Sequence, residues 1–552
     1  MFNPQCIRYS CRERLAPGMR RVPAGIASMA DFDVIIVGSG FGGAVTACRL
    51  ASSGAKVLVL ERGRRWTPET FPRALTDPWL FHHRKPHKHN GWLDLRFFRG
   101  MSITQGAGVG GGSLCYASVT MAADPERFAA GWPPEITAAS LAPHYDRARR
   151  MLSVQTIPPG QETHRFRLLQ RAAAKLGHAD RFERVPLATS FDPGYSYELP
   201  DPIDRKHARH FVNEQGASQA TCVHLGNCHV GCDVGAKNTL DLNYLHVAER
   251  QGAQVRPLHV VRAIEPVGKD YRVHWDRIEQ GRLVPGAATA ERVVLSAGSL
   301  GSTEILLRCR DELRTLPNIS GRLGKSWSSN ANFMTAAIYP KTVKVEQGIG
   351  PLISSGLNFM DGAIDGQRFF VEDDGFPNVW LNALTARLGG GWFARWCRNR
   401  LQRGLDEMNP TAQVMMWLGE GVDAGDGELR LGRPWWAPWR RDLKLDWRVE
   451  NSLRVFESII ATHRRLSEVD GGAVKISPFW GFFKSLTSVH PLGGCAMAER
   501  PANGVVDHRG EVFGYRNLFV VDGAVFPRPI GRNPALTIAA LAERSAELIA
   551  RG

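Results

Sequence analysis

Residues 32 to 62 read Phe-Asp-Val-Ile-Ile-Val-Gly-Ser-Gly-Phe-Gly-Gly-Ala-Val-Thr-Ala-Cys-Arg-Leu-Ala-Ser-Ser-Gly-Ala-Lys-Val-Leu-Val-Leu-Glu-Arg. That order predicts strand, glycine turn, helix and strand, one βαβ unit. Val34 to Val37 and Val57 to Leu60 are unbroken apolar runs, the pattern of parallel strands buried on both faces. Between them Ala44, Ala47, Cys48, Leu50 and Ala51 recur at helical spacing, and Gly54 ends the helix. Gly38, Gly40 and Gly43 match the dinucleotide fingerprint: Gly38 for the tight turn, Gly40 for backbone approach to a pyrophosphate, Gly43 for close packing of helix on strand. The helix N-terminus then faces the phosphates. Glu61 closes the second strand about 20 residues after the glycines, where a carboxylate accepts from both ribose hydroxyls. An acid there disfavours a 2′-phosphate, so FAD or NAD is expected rather than NADP.

A chain of 552 residues exceeds one simple core, so two domains are expected. No run of about 18 apolar residues occurs that could form a spanning helix. Ten cysteines without small-scaffold spacing suggest reduced thiols and a cytoplasmic setting. The net charge of +15 could serve nucleic acid, an anionic membrane surface or solubility, but the basic residues are scattered and no nucleic-acid motif accompanies them. Nucleic acid is therefore not expected as a partner. Residues 1–28 carry five arginines and no apolar signal core, so residues 1–30 are expected to be an extension, with a targeting peptide as the other reading.

Arg64 to Arg99 is rich in Trp, Pro, His and Arg without a clean period, and reads as a long loop or lid. His82, His83, His87 and His89 lack the Cys or acid that would complete a metal site and read as a solvated basic face. A second glycine-rich run, Gly106 to Tyr116, implies a surface pressed closely against something. Thr137 precedes an amphipathic helix from Leu141 to Leu152. Cys222, Cys228 and Cys232 with His224 and His229 match no standard ligand set, so no metal is assigned. Lys237 to Leu245 opens a helix, and Gln254 to Ile264 and Tyr271 to Trp275 read as strands of a hairpin or meander. Arg292 to Leu307 is a buried strand entering a helix through a small-residue turn. Residues 331–487 alternate as strands and carry many aromatics, which suggests an antiparallel substrate domain. Within it Trp392 to Arg400 and Arg433 to Arg441 combine Trp with Arg, as packing or as an interfacial membrane contact.

The end of the chain holds Phe479, Trp480, Phe482 and Phe483 in an apolar stretch, then Val489-His490-Pro-Leu-Gly-Gly-Cys495, the strand and turn Asn517 to Gly523, and Arg532-Asn533-Pro534 opening a final helix. Asn533 is expected at its N-cap and Pro534 at its first position.

These motifs, in this order from about residue 31 to the C-terminus, resemble the glucose-methanol-choline oxidoreductases, and more narrowly their cholesterol oxidase branch. The resemblance implies an α/β (α+β overall) chain in which a Rossmann-like FAD-binding domain (31–70, 222–330 and 488–552) joins a discontinuous antiparallel-sheet substrate domain and lid (71–221 and 331–487). It implies noncovalent FAD contacted by Gly38, Gly40, Gly43, Glu61, Gly110, Gly111, Ser113, Val261 (at adenine), Gly298, Asp522, Gly523 and Asn533. Catalysis would fall to His490, which deprotonates the substrate hydroxyl, to Asn533, which polarises flavin and holds the alcohol oxygen, and to Glu372, the carboxylate facing a sterol ring during double-bond isomerisation. Tyr116 stands where cholesterol oxidases have Asn. The implied reaction moves a hydride from an alcohol carbon to flavin N5, leaving a ketone or aldehyde, with O2 or a quinone as final acceptor. The aromatic stretch at 479–483 favours a bulky apolar alcohol, and peripheral contact with an anionic membrane would suit such a substrate. The rivals are a dehydrogenase with a quinone or protein acceptor acting on a non-sterol alcohol, and a lyase that keeps FAD without net redox work.

Overall fold

The computed structural model describes residues 30–551 apart from 75, 378, 380–412, 434–438, 478, 479, 482 and 483. The strand Phe32–Val37 is central to a seven-stranded sheet, and every one of its residues but Asp33 is buried. On one side it pairs in parallel with Val57–Leu60 (Val34 opposite Val57), and on the other with the inner end of Arg282–Leu295 (Val37 opposite Leu295). Continuous apolar sequence is required here because both faces of these strands are buried. The connecting helix Phe41–Ser52 ends before Gly54, whose φ of +88° suits only glycine without strain. It packs on the final helix Ala535–Arg551, where the buried Glu543 accepts from Arg49 Nη2 at 2.6 Å and from the Tyr244 hydroxyl at 2.7 Å.

Arg282–Leu295 does two jobs. Its outer half pairs antiparallel with Asp270–Glu279, which pairs antiparallel with His259–Val267, while its inner half belongs to the parallel sheet. The parallel sheet continues past it, with Leu518–Val520 paired in parallel to its inner end. The expected strand from Gln254 to Ile264 is two strands: Gln254–Arg256 extends the parallel sheet beside Val57–Leu60, and the chain then breaks at Pro257 and Leu258 (φ +60°) before His259. Proline removes a ladder donor, so the chain leaves one edge and restarts on another.

The second sheet is antiparallel throughout, in the order Ala473–Lys475, Phe333–Ile338, Val414–Gly421, Gln367–Asp374, Ser355–Ile364 and Phe182–Arg184. The helix Leu453–Glu468 covers it with Val455, Phe456, Ile459 and Leu466, all buried. Contact is close enough that a Cβ on Gly419 would lie 2.3 Å from Ile459 Cγ2.

The segment from Arg64 to Arg99, expected as a loop, contains Leu93–Phe98 in an antiparallel hairpin with Met101–Gly106. Its alternation is inverted: Asp94 and Arg96 point inward as an ion pair, while Leu95 and Phe97 are exposed. A polar pair that satisfies itself indoors hides a strand from hydrophobic reading. Leu486–Ser488 lies parallel to Met101–Gly106 and delivers His490 two residues later. Among the described residues, no helix is long and apolar enough to cross a membrane.

Candidate active site

A cavity of about 970 Å³ runs between the two sheets. That is the upper end of ordinary ligand pockets, roughly 300 to 1,000 Å³. Gly38, Ser39, Gly40, Phe41 and Gly42 line it at the start of the Phe41–Ser52 helix, whose first turn holds no acidic side chain. Gly38 has φ +95°, and a Cβ there would stand 2.4 Å from the Ser296 carbonyl oxygen. At Gly43 a Cβ would meet the Gly38 carbonyl at 2.0 Å, so Gly43 serves helix packing and sits behind the lining. The second glycine run presses on the first: Gly111 abuts Gly40, and both line the cavity. Ser113 donates to the Gly110 carbonyl at 2.7 Å and accepts from Leu240 N–H at 3.1 Å, so this pair braces the run from behind.

Glu61 is buried and lines the cavity. Its Oε2 accepts from Ser39 N–H at 3.1 Å and Ser39 Oγ–H at 2.7 Å, and its Oε1 from Gly63 N–H at 2.9 Å. An ionised carboxylate has about four acceptor sites, so capacity for a ribose hydroxyl remains. Asp522 accepts from Gly298 N–H at 2.9 Å, Ser302 Oγ–H at 2.5 Å and Ala524 N–H at 2.7 Å, tying two segments of the cavity wall. Burial pushes its carboxyl up to about 6 despite those donors. Val261, Gly298 and Gly523 line the same cavity. An open glycine cradle at a helix N-terminus, with an acid at the end of the second strand, fits a dinucleotide such as FAD.

His490 and Asn533 line the same cavity. Asn332 holds the histidine loop, its Oδ1 accepting from Val489 N–H at 3.0 Å and His490 N–H at 2.9 Å. Its Nδ2 is 2.9 Å from His490 Nδ1. On the same side of the ring, Glu420 Oε2 also lies 2.9 Å from Nδ1, but out of line for a hydrogen bond. Among the described residues no hydrogen bond engages His490 Nε2.

Asn533 departs from its expected role as helix cap. The final helix begins at Ala535, with Ile538 N–H bonded to the Pro534 carbonyl, and the Asn533 side chain turns instead to two buried carboxyls. The hydrogen-bond network sets the amide orientation: its nitrogen donates to Glu372 Oε1 and Glu420 Oε1, each at 2.9 Å. Both N–H bonds are thus committed, which leaves none for an alcohol oxygen. Glu372 and Glu420 come together because they are diagonal neighbours on adjacent strands, Glu372 facing Leu418 and Glu420 facing Phe370. Burial raises the Glu372 carboxyl well above the usual range, and the charge of Glu420 raises it further. Glu372 is wholly buried and does not line the cavity, which it reaches through Asn533.

Sequence reading missed Asn332 and Glu420. Ser-Asn-Ala-Asn and Leu-Gly-Glu-Gly carry no motif, although an acid inside an apolar strand such as Val414–Gly421 is itself a signal. Of the aromatic stretch only Trp480 is described; it is buried in the core against Phe333, ring centroids 4.8 Å apart, and does not line the cavity. The other three rings, with Trp392 to Arg400, lie outside the described residues. Tyr116 lines the cavity, edge-on to Phe41 at 5.5 Å. His83 is not on a solvated face: it lines the cavity, and burial pushes it down to about 3. Cys222, Cys228 and Cys232 are free thiols, and no group of three or more metal-ligating side chains occurs among the described residues.

A family model described as GMC oxidoreductase matches residues 449–542, and one described as an NAD(P)-binding Rossmann-like domain matches residues 36–85. A cholesterol oxidase of Acinetobacter baumannii is 32% identical over 560 residues, with 94% of each chain covered. A cholesterol oxidase of Mycobacterium tuberculosis is 33% identical over 556 residues, covering 94% of this chain and 91% of that one. Among solved structures, pyridoxine 4-oxidase from Mesorbium loti superposes with a TM-score of 0.62 at 15% identity, over 94% of this chain and 98% of its own, a likeness of fold.

Proposed function

The chain belongs to the glucose-methanol-choline family of FAD-dependent alcohol oxidoreductases, in its cholesterol oxidase-like branch, and on that premise we propose that it oxidises a bulky apolar, sterol-like alcohol to a ketone or aldehyde. The observation that carries this reading is the cavity. One end is the glycine cradle with Glu61, and the other is walled by Ile353, Met416 and Leu418 and opens past Phe97, Met334 and Val489, which are 76%, 48% and 44% exposed. Exposed apolar side chains at a cavity mouth suit a substrate that arrives from an apolar phase.

FAD, when bound, supplies the two-electron acceptor for the alcohol carbon. Gly38, Gly40, Gly111 and Glu61 hold it in this reading, with Val261 near its adenine and Asp522 and Gly523 at the turn below the final helix. His490 Nε2, unengaged and facing the cavity, accepts the hydroxyl proton, a role a neutral imidazole fills near pH 7. Asn533 holds the two carboxyls apart from the substrate and fixes their geometry. Glu372, protonated and set behind Asn533, is placed as an acid rather than a base. Noncovalent attachment is the reading we favour: Cys115, the one thiol that lines the cavity among the described residues, is raised by burial and so poor in thiolate. Dioxygen is the acceptor we favour, since the relatives named above are oxidases. The seven described cysteines are all free thiols, in keeping with a cytoplasmic protein.

Anaerobic mixing of the purified flavoprotein with a panel of alcohols, sterols included, tests this directly. Bleaching of the flavin by sterols supports the reading; bleaching by short alcohols alone overturns the substrate class; no bleaching by any alcohol points to the lyase. Peroxide on readmitting air separates an oxidase from a dehydrogenase.

A further inference from the structure

Glu372 and Glu420 form a buried carboxyl pair beside His490. Each of its oxygens can be accounted for except one. Glu372 Oε1 and Glu420 Oε1 accept from the Asn533 amide. With the amide so turned, its oxygen takes the place 3.3 Å from Glu372 Oε2, a contact between two acceptors unless that carboxyl carries a proton. Glu420 Oε2 is buried and has no hydrogen-bond partner, yet it lies 2.9 Å from His490 Nδ1. A buried acceptor left unpaired is destabilising, the more so when charged, and a small turn of the imidazole satisfies it.

We propose that Glu420 is a positioning residue for His490: it accepts a hydrogen bond from Nδ1–H, which leaves Nε2 unprotonated and facing the cavity. Asn332 presses the opposite choice. Its amide oxygen is occupied by two backbone N–H groups, so its nitrogen points at Nδ1 as a donor and on its own would leave the ring proton on Nε2. An ionised carboxylate outcompetes a neutral amide for the ring, because a charge-assisted hydrogen bond is about twice as strong. Two carboxyls on one amide cannot both ionise cheaply, and the acceptor–acceptor contact at Glu372 Oε2 assigns the shared proton to Glu372, which leaves Glu420 as the carboxylate beside the ring in this proposal.

The proposal rests on His490 being the proton acceptor of the reaction. In that step the alcohol O–H breaks and its proton joins Nε2, the carbinol C–H breaks and its hydrogen leaves with the electron pair to FAD, and C–O becomes C=O. The imidazolium then presents its charge to Glu420.

The test combines the 15N resonances of the His490 ring, assigned by their loss in His490→Ala, with flavin reduction rates. In the parent holoenzyme Nδ1 should carry the proton, and finding it on Nε2 overturns the proposal without any variant of Glu420. In Glu420→Gln the flavin absorbance should be retained, the ring proton should move to Nε2, and reduction should slow by at least roughly 10- to 100-fold with little change in KM, the scale of losing a hydrogen-bonded partner that orients a functional histidine. In a His490→Ala background the same change should cost nothing further. An equal loss there would make Glu420 independent of the histidine and sink the idea. If His490→Ala alone reduces its flavin at the parent rate, the proton-acceptor reading has failed, while the ring tautomer still reports on Glu420.

Discussion

Gly111 lies so close to Gly40 that a Cβ on Gly111 would stand 2.6 Å from the Gly40 Cα. The two glycine-rich runs, 71 residues apart in the chain at this contact, are therefore one surface, and it leaves no room for a Cβ on Gly111, whereas one on Gly40 would stand 4.0 Å from the Gly111 Cα. Gly111 also has φ +53°, so Gly111→Ala combines a left-handed alanine with a backbone clash. We expect the variant to fold but to lose FAD during gel filtration, while Gly112→Ala, where nothing lies within 4 Å, keeps it. Equal flavin content in the two would show that the contact does not shape the cradle.

Asn533→Leu removes the amide that bonds both Glu372 and Glu420. Two buried carboxyls then lose their shared donors, and destabilisation of about 1 to 3 kcal/mol should follow, read as a lower urea midpoint. Flavin reduction should slow as well, because Glu420 is no longer held near His490. Glu372→Gln keeps a neutral, hydrogen-bonding group in place and should leave alcohol oxidation near the parent rate. A large drop in that rate would give Glu372 a part in the first step.

The Asp522 carboxyl is raised by burial to about 6 from an ordinary value of 3.8. The folded state therefore holds a proton that the unfolded chain has released, and stability from this group is present below pH 3.8 and lost as pH rises through about 6. Asp522→Asn, though less stable because an amide nitrogen would face backbone donors, should give a flatter stability profile across that window. Urea midpoints of the two proteins at intervals between those pH values check it; parallel profiles would mean Asp522 titrates normally.

Trp439 is 80% exposed beside Arg441, and Phe97 is 76% exposed at the cavity mouth. With a net charge of +15, these favour an anionic lipid surface. Vesicles containing anionic lipid should retain more protein than neutral ones, and added salt should release it. Trp439→Ser should weaken the binding; indifference to both lipid charge and salt would leave Trp439 without a membrane role.

What the chain determined locally is the cradle. Strand, turn, helix and strand occupy residues 32–61 in one stretch, and their glycines and terminal acid are set by steric and hydrogen-bonding needs that act over a few residues. His490 and Asn533 were legible only through the family pattern, and the pattern named the residues without their partners. Tertiary structure decided those partners. Asn332, Glu372, Glu420, His490 and Asn533 come from separate segments, and only strand register makes Glu372 and Glu420 diagonal neighbours. The Leu93–Phe98 strand was misread for a related reason: Leu95 and Phe97 alternate with Asp94 and Arg96, but the polar pair is the buried one, satisfied by each other and by Arg62, so the period points the wrong way. Buried charge becomes tolerable only when a partner distant in sequence arrives, and that arrival is a property of the fold.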